Sequence, residues 1–232
     1  MPASVNPNTP DDAQARILDA AGPIFADKGF EGATVREICQ SAGVNIAAVN
    51  YYFRDKERLY IEAVKSACRF QNEQFPFPEW PANTPAVVKL REFIRTMAER
   101  MLNDDQAEWC RELFLREMGH PTIACVELVN DHMQPTRDIV MAILAELLPE
   151  VPALKRMLIG LSIVAQCVFY KVAKPAVAQL VGEEANRQLT AQLVADHVTQ
   201  FTFAALGLDA PGAEPSDVSK TQERKSSKPA KK

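Results

Sequence analysis

The run Thr34 to Lys56, TVREICQSAGVNIAAVNYYFRDK, leaves this chain few choices of fold. Thr34 with Glu37 three residues on predicts a capping box, the hydroxyl and the carboxylate satisfying each other's backbone N–H groups at the start of a helix. Val35, Ile38 and Ala42 then share one face, and Gly43 takes the left-handed backbone that ends a helix and turns the chain. Val44 plugs the corner. Asn45 caps a second helix running to about Phe53, and Asp55 caps a third with Tyr60, Val64 and Ala67 on one stripe. Two short helices about a glycine turn, with a third close behind, are the pattern of a DNA-reading helix-turn-helix.

The rest of the sequence also reads as helix, so the predicted fold class is all-α: an N-terminal three-helix helix-turn-helix domain and a second, C-terminal helical domain. Residues 1–10 are expected to be disordered, and residues 11–72 to form the first domain. Its opening helix, about Asp12 to Lys28, stops at Gly29 and is expected to kink near Gly22 and Pro23, because proline withholds an N–H from the carbonyl of Asp19. The proline-rich stretch 73–85 connects to a second domain over 86–208. There Val87, Leu90, Ile94, Met97 and Met101 recur at helical spacing. Further helices are predicted over Asp105–Met118, Thr122–Leu148 with an interruption at Pro135, Pro152–Ala173 and about Glu183–Leu206. Residues 209–232 are expected to form a disordered basic tail, with six basic residues against one acidic from Lys220 on. Two readings of the tail stand: a solubilising terminus, or a loose hold on DNA.

An apolar share of 47% suffices for a substantial core. Five cysteines with no C-x-x-C pair fit no disulfide framework, and a reducing cytoplasm suits them. Met1 to Asp12 lacks the apolar run of a signal peptide. The apolar segment Met157–Tyr170 is shorter than the roughly 20 residues of a membrane crossing and reads as a buried helix, so no membrane partner is expected. A net charge of −4 opposes binding to nucleic acid as a whole. Any affinity for DNA has to come from a local patch, for which Arg36, Arg54, Lys56 and Arg58 are the candidates. The nucleophile elbow, phosphate loop and zinc-protease motifs are absent, so no enzyme is expected. No cofactor and no metal site is predicted: His120, Cys125 and His132 are too irregularly spaced.

Several motifs resemble the TetR family of bacterial transcriptional regulators. They are Arg16–Ala21, Phe25–Phe30, Ala33–Ile38, Ala42–Gly43–Val44, Tyr51–Tyr52–Phe53, Lys56–Glu57 and Leu59–Tyr60, in order and at the family's spacing. Arg116–Glu117, Pro121–Thr122 and Met133–Gln134–Pro135 resemble the C-terminal domain of a CerR-type subgroup. The resemblance implies a homodimer on a pseudo-palindromic, double-stranded operator, released when a small-molecule effector enters the C-terminal domain. It departs from the family at Asn50, where a bulky residue is common, and at Asn45, where serine is.

Carried over by position, the recognition helix is Asn45 to Tyr52. Asn45, Ala47, Ala48 and Asn50 lie toward base edges, where asparagine pairs with adenine and alanine admits close approach. Asn45 has a second reading as a cap only. Thr34, Arg36, Tyr51, Tyr52 and Lys56 are candidate phosphate contacts, each with a structural alternative. Thr34 also caps, Arg36 also fits an ion pair, and the tyrosines also fit inward packing. In the second domain Trp109, Cys110, Phe114, Glu117, His120, Met133, Gln166, Phe169 and Tyr170 are candidate ligand contacts, or core. Pro152–Ala173 and Glu183–Leu206 are expected to pair across a two-fold axis as a four-helix interface, with Gly160, Ser162 and Ala165 allowing close approach and His197 buried in it.

Overall fold

The computed structural model describes residues 10–103 and 107–208, and the regular structure among them is helical. The two predicted disordered ends fall outside these residues, apart from Pro10, which opens the first helix. The head of the molecule holds α1 (Pro10–Gly32), α2 (Val35–Ala42), α3 (Ile46–Phe53) and α4 (Lys56–Gln74). After an irregular stretch come α5 (Ala86–Leu102), α6 (Glu108–Gly119), α7 (Ile123–Leu128) and a single π turn (Val129–Met133). Then follow α8 (Gln134–Leu147), α9 (Ala153–Val172), α10 (Lys174–Gln188) and α11 (Ala191–Leu206).

Side chains fix the ends of the short helices. Thr34 Oγ1 accepts from the Glu37 N–H at 3.2 Å, Asn45 Oδ1 from the Ala48 N–H at 3.0 Å, and Asp55 Oδ1 from the Arg58 N–H at 2.8 Å. Gly43, at φ 65° and ψ 36°, turns its N–H back onto the end of α2. The predicted capping box is only half made, because the Glu37 carboxylate accepts from the Lys28 ammonium instead. That bond fastens α1 to α2.

The non-helical backbone inside α1 lies at Gly29, at φ 71° and ψ 178°, and not at the expected kink near Pro23. A break there frees the carbonyls of Ala26 and Asp27, and Arg116 Nη2 donates to both at 3.0 Å. Gly22 has another purpose. A Cβ at that position would lie 2.5 Å from the ring of Trp109, so its absence lets α6 pack directly on α1.

Two hydrophobic cores result, and they do not follow chain order. The first gathers Ile17, Phe25, Ile38, Val49, Phe53 and Leu59 from the head, but also Leu113 of α6 and Ala124 and Leu128 of α7. The second joins α5, α8, α9 and α11 through Leu90, Phe93, Ile94, Leu144, Ile163 and Val198, among others. The proline-rich stretch packs on this second core. Phe77 stacks on Phe93 with ring centroids 5.0 Å apart, and Arg100 covers the Phe77 ring at 3.9 Å.

Three expectations for the second domain change. Thr122–Leu148 is interrupted not at Pro135 itself but in the π turn before it, where the Gln134 N–H donates to the carbonyl of Val129 five residues back. Pro135, without an N–H, occupies the first turn of α8, where none is needed. Glu183–Leu206 is two helices, since Thr190 caps a separate α11 by accepting from the Leu193 N–H at 3.2 Å. Finally, Met157–Tyr170 is not a buried helix. Of α9 only Gly160, Ile163, Cys167 and Lys171 are buried in the single chain. By length and composition α9 would also span a membrane, but this buried face packs against α5 and α8 as part of the bundle.

Candidate nucleic-acid interface and ligand cavity

Helix α3 buries Val49 and Phe53 and turns Asn45, Ile46, Ala47, Asn50 and Tyr51 to solvent. Tyr51 is 80% exposed, so it does not pack inward, whereas Tyr52 and Ala48 lie partly against the head's core. Asn45 Oδ1 is engaged in its cap, which leaves its amide nitrogen for any outside partner. Ile46 belongs to the same surface and was passed over by sequence reasoning; its signal is its place one residue after the cap.

Around this face Thr34, Arg36 and Arg54 are exposed. Lys56 lies over the Phe30 ring at 4.7 Å, with its ammonium 3.4 Å from the Glu31 carbonyl oxygen. Arg58 is drawn off by Glu127 at 3.3 Å, which thins the expected basic patch to Arg36, Arg54 and Lys56. Arg54 itself is strained. It sits at φ 71° and ψ −51°, with the Asp55 N–H donating to the Phe53 carbonyl at 2.9 Å, a γ-turn of the rare positive-φ kind. This turn carries the chain from α3 into α4.

A cavity of about 280 Å³ lies between α4, α5, α6, the π turn, α8 and α9. Of the nine residues proposed for ligand contact, Phe114 and Met133 line it. The structure places the other seven elsewhere. Trp109 packs on Gly22, Cys110 is buried, and Glu117 lies within the head's core. His120 and Phe169 are exposed, Gln166 donates to the Ser162 carbonyl, and Tyr170 packs on the second core. Sequence reasoning missed Cys68, Asn72, Arg100, His132 and Lys171, all of which line the cavity. Lys171 had a signal: Ile163, Cys167 and Lys171 are four apart, which puts the lysine on the buried face of α9.

Burial dominates the titration of these groups. It lowers Lys171 to about 8 and Arg100 to about 10, and raises the Cys68 thiol to about 11 despite the nearby Lys171. A thiol held protonated in this way is a poor redox sensor. Among the described residues no group of three or more potential metal ligands comes together.

The family profile described as "Bacterial regulatory proteins, tetR family" matches residues 17–63, and that of "HTH-type transcriptional dual regulator CecR, C-terminal domain" matches residues 86–208. The second match takes in more than half of the chain. The chain belongs to the TetR family. The family is one of bacterial regulatory proteins, and the relatives that the chain resembles are transcriptional regulators. The C-terminal resemblance, assigned above to a CerR-type subgroup, is to CecR. CecR of Shigella flexneri is 34% identical over 131 residues, which are 52% of this chain and 57% of CecR, less than two thirds of that relative. A putative transcriptional regulator from Pseudomonas aeruginosa PAO1 shares the fold with a TM-score of 0.60 at 19% identity, over 86% of this chain and 93% of that one. AibR, solved in complex with isovaleryl coenzyme A and operator DNA, does so with 0.57 at 15% identity, over 82% and 97%.

In this TetR-family chain the pair Arg116–Glu117 joins the two halves. Glu117 is fully buried and accepts from the Tyr60 hydroxyl at 2.6 Å, from the Thr122 N–H at 3.1 Å and from the Thr122 hydroxyl at 3.0 Å. Burial, then the carboxylate beside it, pushes the Tyr60 phenol well above its ordinary value. Arg116, one residue earlier, holds the broken end of α1. Helix α6 thus grips the head with Arg116 and Glu117 while Phe114 reaches the cavity.

Proposed function

We propose that this TetR-family regulator is a repressor: a homodimer that occupies a pseudo-palindromic operator and lets go when a small molecule fills the cavity. What carries the reading is α3, anchored by Val49 and Phe53 and presenting Asn45, Ile46, Ala47, Asn50 and Tyr51 to solvent. Asn50 pairs with a base edge, Ile46 and Ala47 meet thymine methyls, and Thr34, Arg36, Tyr51, Tyr52 and Lys56 hold phosphates, Lys56 after leaving its weak bond to Glu31. The dimer forms through outward apolar stripes. Leu154, Leu158, Leu161 and Val172 mark one on α9, and Leu193 and Phe201 flank His197 on α11. Two copies of a helix pair that bury these stripes make a four-helix interface. A cytoplasmic location follows from the DNA partner.

Release is a shift of population between two spacings of the recognition helices. The far end of α4 supplies Cys68 and Asn72 to the cavity, and its first residues follow the strained turn after α3. An effector that moves α4 or α6 therefore moves α3, with a coupling typically of about 1–3 kcal/mol. The AibR complex, with an acyl thioester and operator DNA, is support by likeness of fold. The test is selection of bound genomic fragments at low salt, followed by titration of the enriched fragment with wild type and with Asn50→Ala/Lys56→Ala. The double variant should lose sequence-selective binding and keep its dimer mass. If no fragment is enriched, the reading fails.

A further inference from the structure

Lys171 is 7% exposed, and its ammonium has no carboxylate partner among the described residues. It faces the Phe114 ring, 5.6 Å from nitrogen to centroid, and the Cys68 and Cys110 thiols and the Arg111 guanidinium are near enough to act on its charge. Around the same cavity stand Arg100 and Arg137, and no aspartate or glutamate is among the lining residues. Arg137 is balanced by Asp138 outside, and Arg100 Nε is spent on the Phe75 carbonyl at 2.7 Å. His132 adds a neutral donor. The Asn72 amide donates to its Nδ1 at 2.9 Å, so the ring carries its proton on Nε2, and that buried nitrogen has no partner. The rest of the wall is mostly methionine, valine and leucine, with Gln134 and Thr136 as further polar side chains and Cys68 and Gly160 between them. The π turn that supplies Val129, His132 and Met133 is a feature frequent at functional sites.

A buried ammonium without a counter-charge is costly unless something else supplies the charge. We propose that the cavity takes an organic anion, a carboxylate on a compact apolar body, with the Lys171 ammonium as its counter-charge. About 280 Å³ is at the small end for a ligand site, so the body is a short aliphatic or single-ring group. Lys171 also borders a neighbouring, more polar hollow lined by Asn103, Arg111, Lys174 and Glu108, the last paired with Arg111 at 3.2 Å, which places the head group at the Lys171 junction of the two and the apolar body inward. An uncharged or cationic molecule of the same shape leaves the ammonium unpaired.

The proposal rests on the reading of this cavity as the effector site, and the experiment separates the two. Binding of phenylbutyrate, phenylbutanol and phenylbutylamine to the full-length protein is measured by calorimetry for wild type, Lys171→Met and Lys171→Arg, with thermal melting to establish that each is folded. Phenylbutyrate should bind wild type at least about tenfold more tightly than the alcohol or the amine. Lys171→Met should lose that preference while still binding the alcohol, and Lys171→Arg should keep it. Failure of the acid to bind, equal binding of acid and alcohol, or a preference that survives Lys171→Met overturns the proposal. Release of operator DNA is scored separately. Acid-selective binding without release supports the anion site and removes the effector reading.

Discussion

The head of this protein is finished within one chain, whereas the α5–α8–α9–α11 bundle is not. In the head, apolar side chains point inward except for Ile46 and Tyr51 on α3, and even a buried carboxylate, Glu117, has its partners. The bundle leaves Leu154, Leu158, Leu161, Leu193 and Phe201 outside, borders a hollow that it shares with α4, α6 and the π turn, and buries a lysine without a counter-charge. The same chemistry thus separates a part that has only to hold its shape from one that, on the function proposed above, takes a second copy and a ligand. Burial that is complete gives rigidity, and burial left incomplete marks where something else binds.

The contrast can be broken most severely in the head. Phe25→Ala should cost about 3–5 kcal/mol, because the surrounding core cannot collapse into the space; a melting curve that barely moves would mean that the head is looser than its packing indicates. Leu158→Asp should leave the fold intact yet weaken dimerisation by about 3 kcal/mol, or roughly 100-fold, since symmetry buries the unpaired carboxylate twice. Sedimentation that still finds dimers at low concentration would count against the α9 stripe.

A smaller effect is expected at Lys171, and it depends on pH. Burial depresses its pKa from 10.5 to about 8, so between these values the unfolded chain holds more protons than the folded one, and stability rises with pH across that window. Below pH 8 the whole penalty is present, roughly 3 kcal/mol less what the Phe114 ring returns. Lys171→Met should therefore be about 2 kcal/mol more stable at pH 7, and the gain should shrink toward pH 10. A gain that does not change with pH would point to packing alone. The smallest effect is at the turn after α3, where Arg54→Gly relieves a positive φ and should stabilise by about 1 kcal/mol. Operator affinity measured alongside tells whether Arg54 also touches phosphate.

What the sequence made legible was local. Thr34, Gly43, Asn45 and Asp55 fix helix ends through bonds spanning three or four residues, and all four do so in the structure. Which body a helix joins is not local. Nothing in the spacing of Leu113 and Glu117 tells that α6 packs on the head, and the Arg116 bonds to α1 join residues some ninety positions apart. Register alone did not tell which of two apolar faces turns outward. The stripes Leu154–Leu158–Leu161 and Leu193–His197–Phe201 are the outward ones, because each helix has a second apolar face that carries Ile163 and Cys167, or Val194 and Val198. Gly160, expected between subunits, instead faces Val140 and Leu144 of α8. The cavity was harder still, since its polar residues come from α4, α5, the π turn and α9 and share no motif.

Helix α6 belongs to the second half by its position in the chain and to the first by its packing. Grafting residues 11–72 alone onto a relative's effector-binding half would strip Arg116 from the broken end of α1, Glu117 from Tyr60 and Trp109 from Gly22. The natural unit of exchange is the head together with α6 and α7, so hybrid regulators cut at the proline-rich seam would inherit a severed joint.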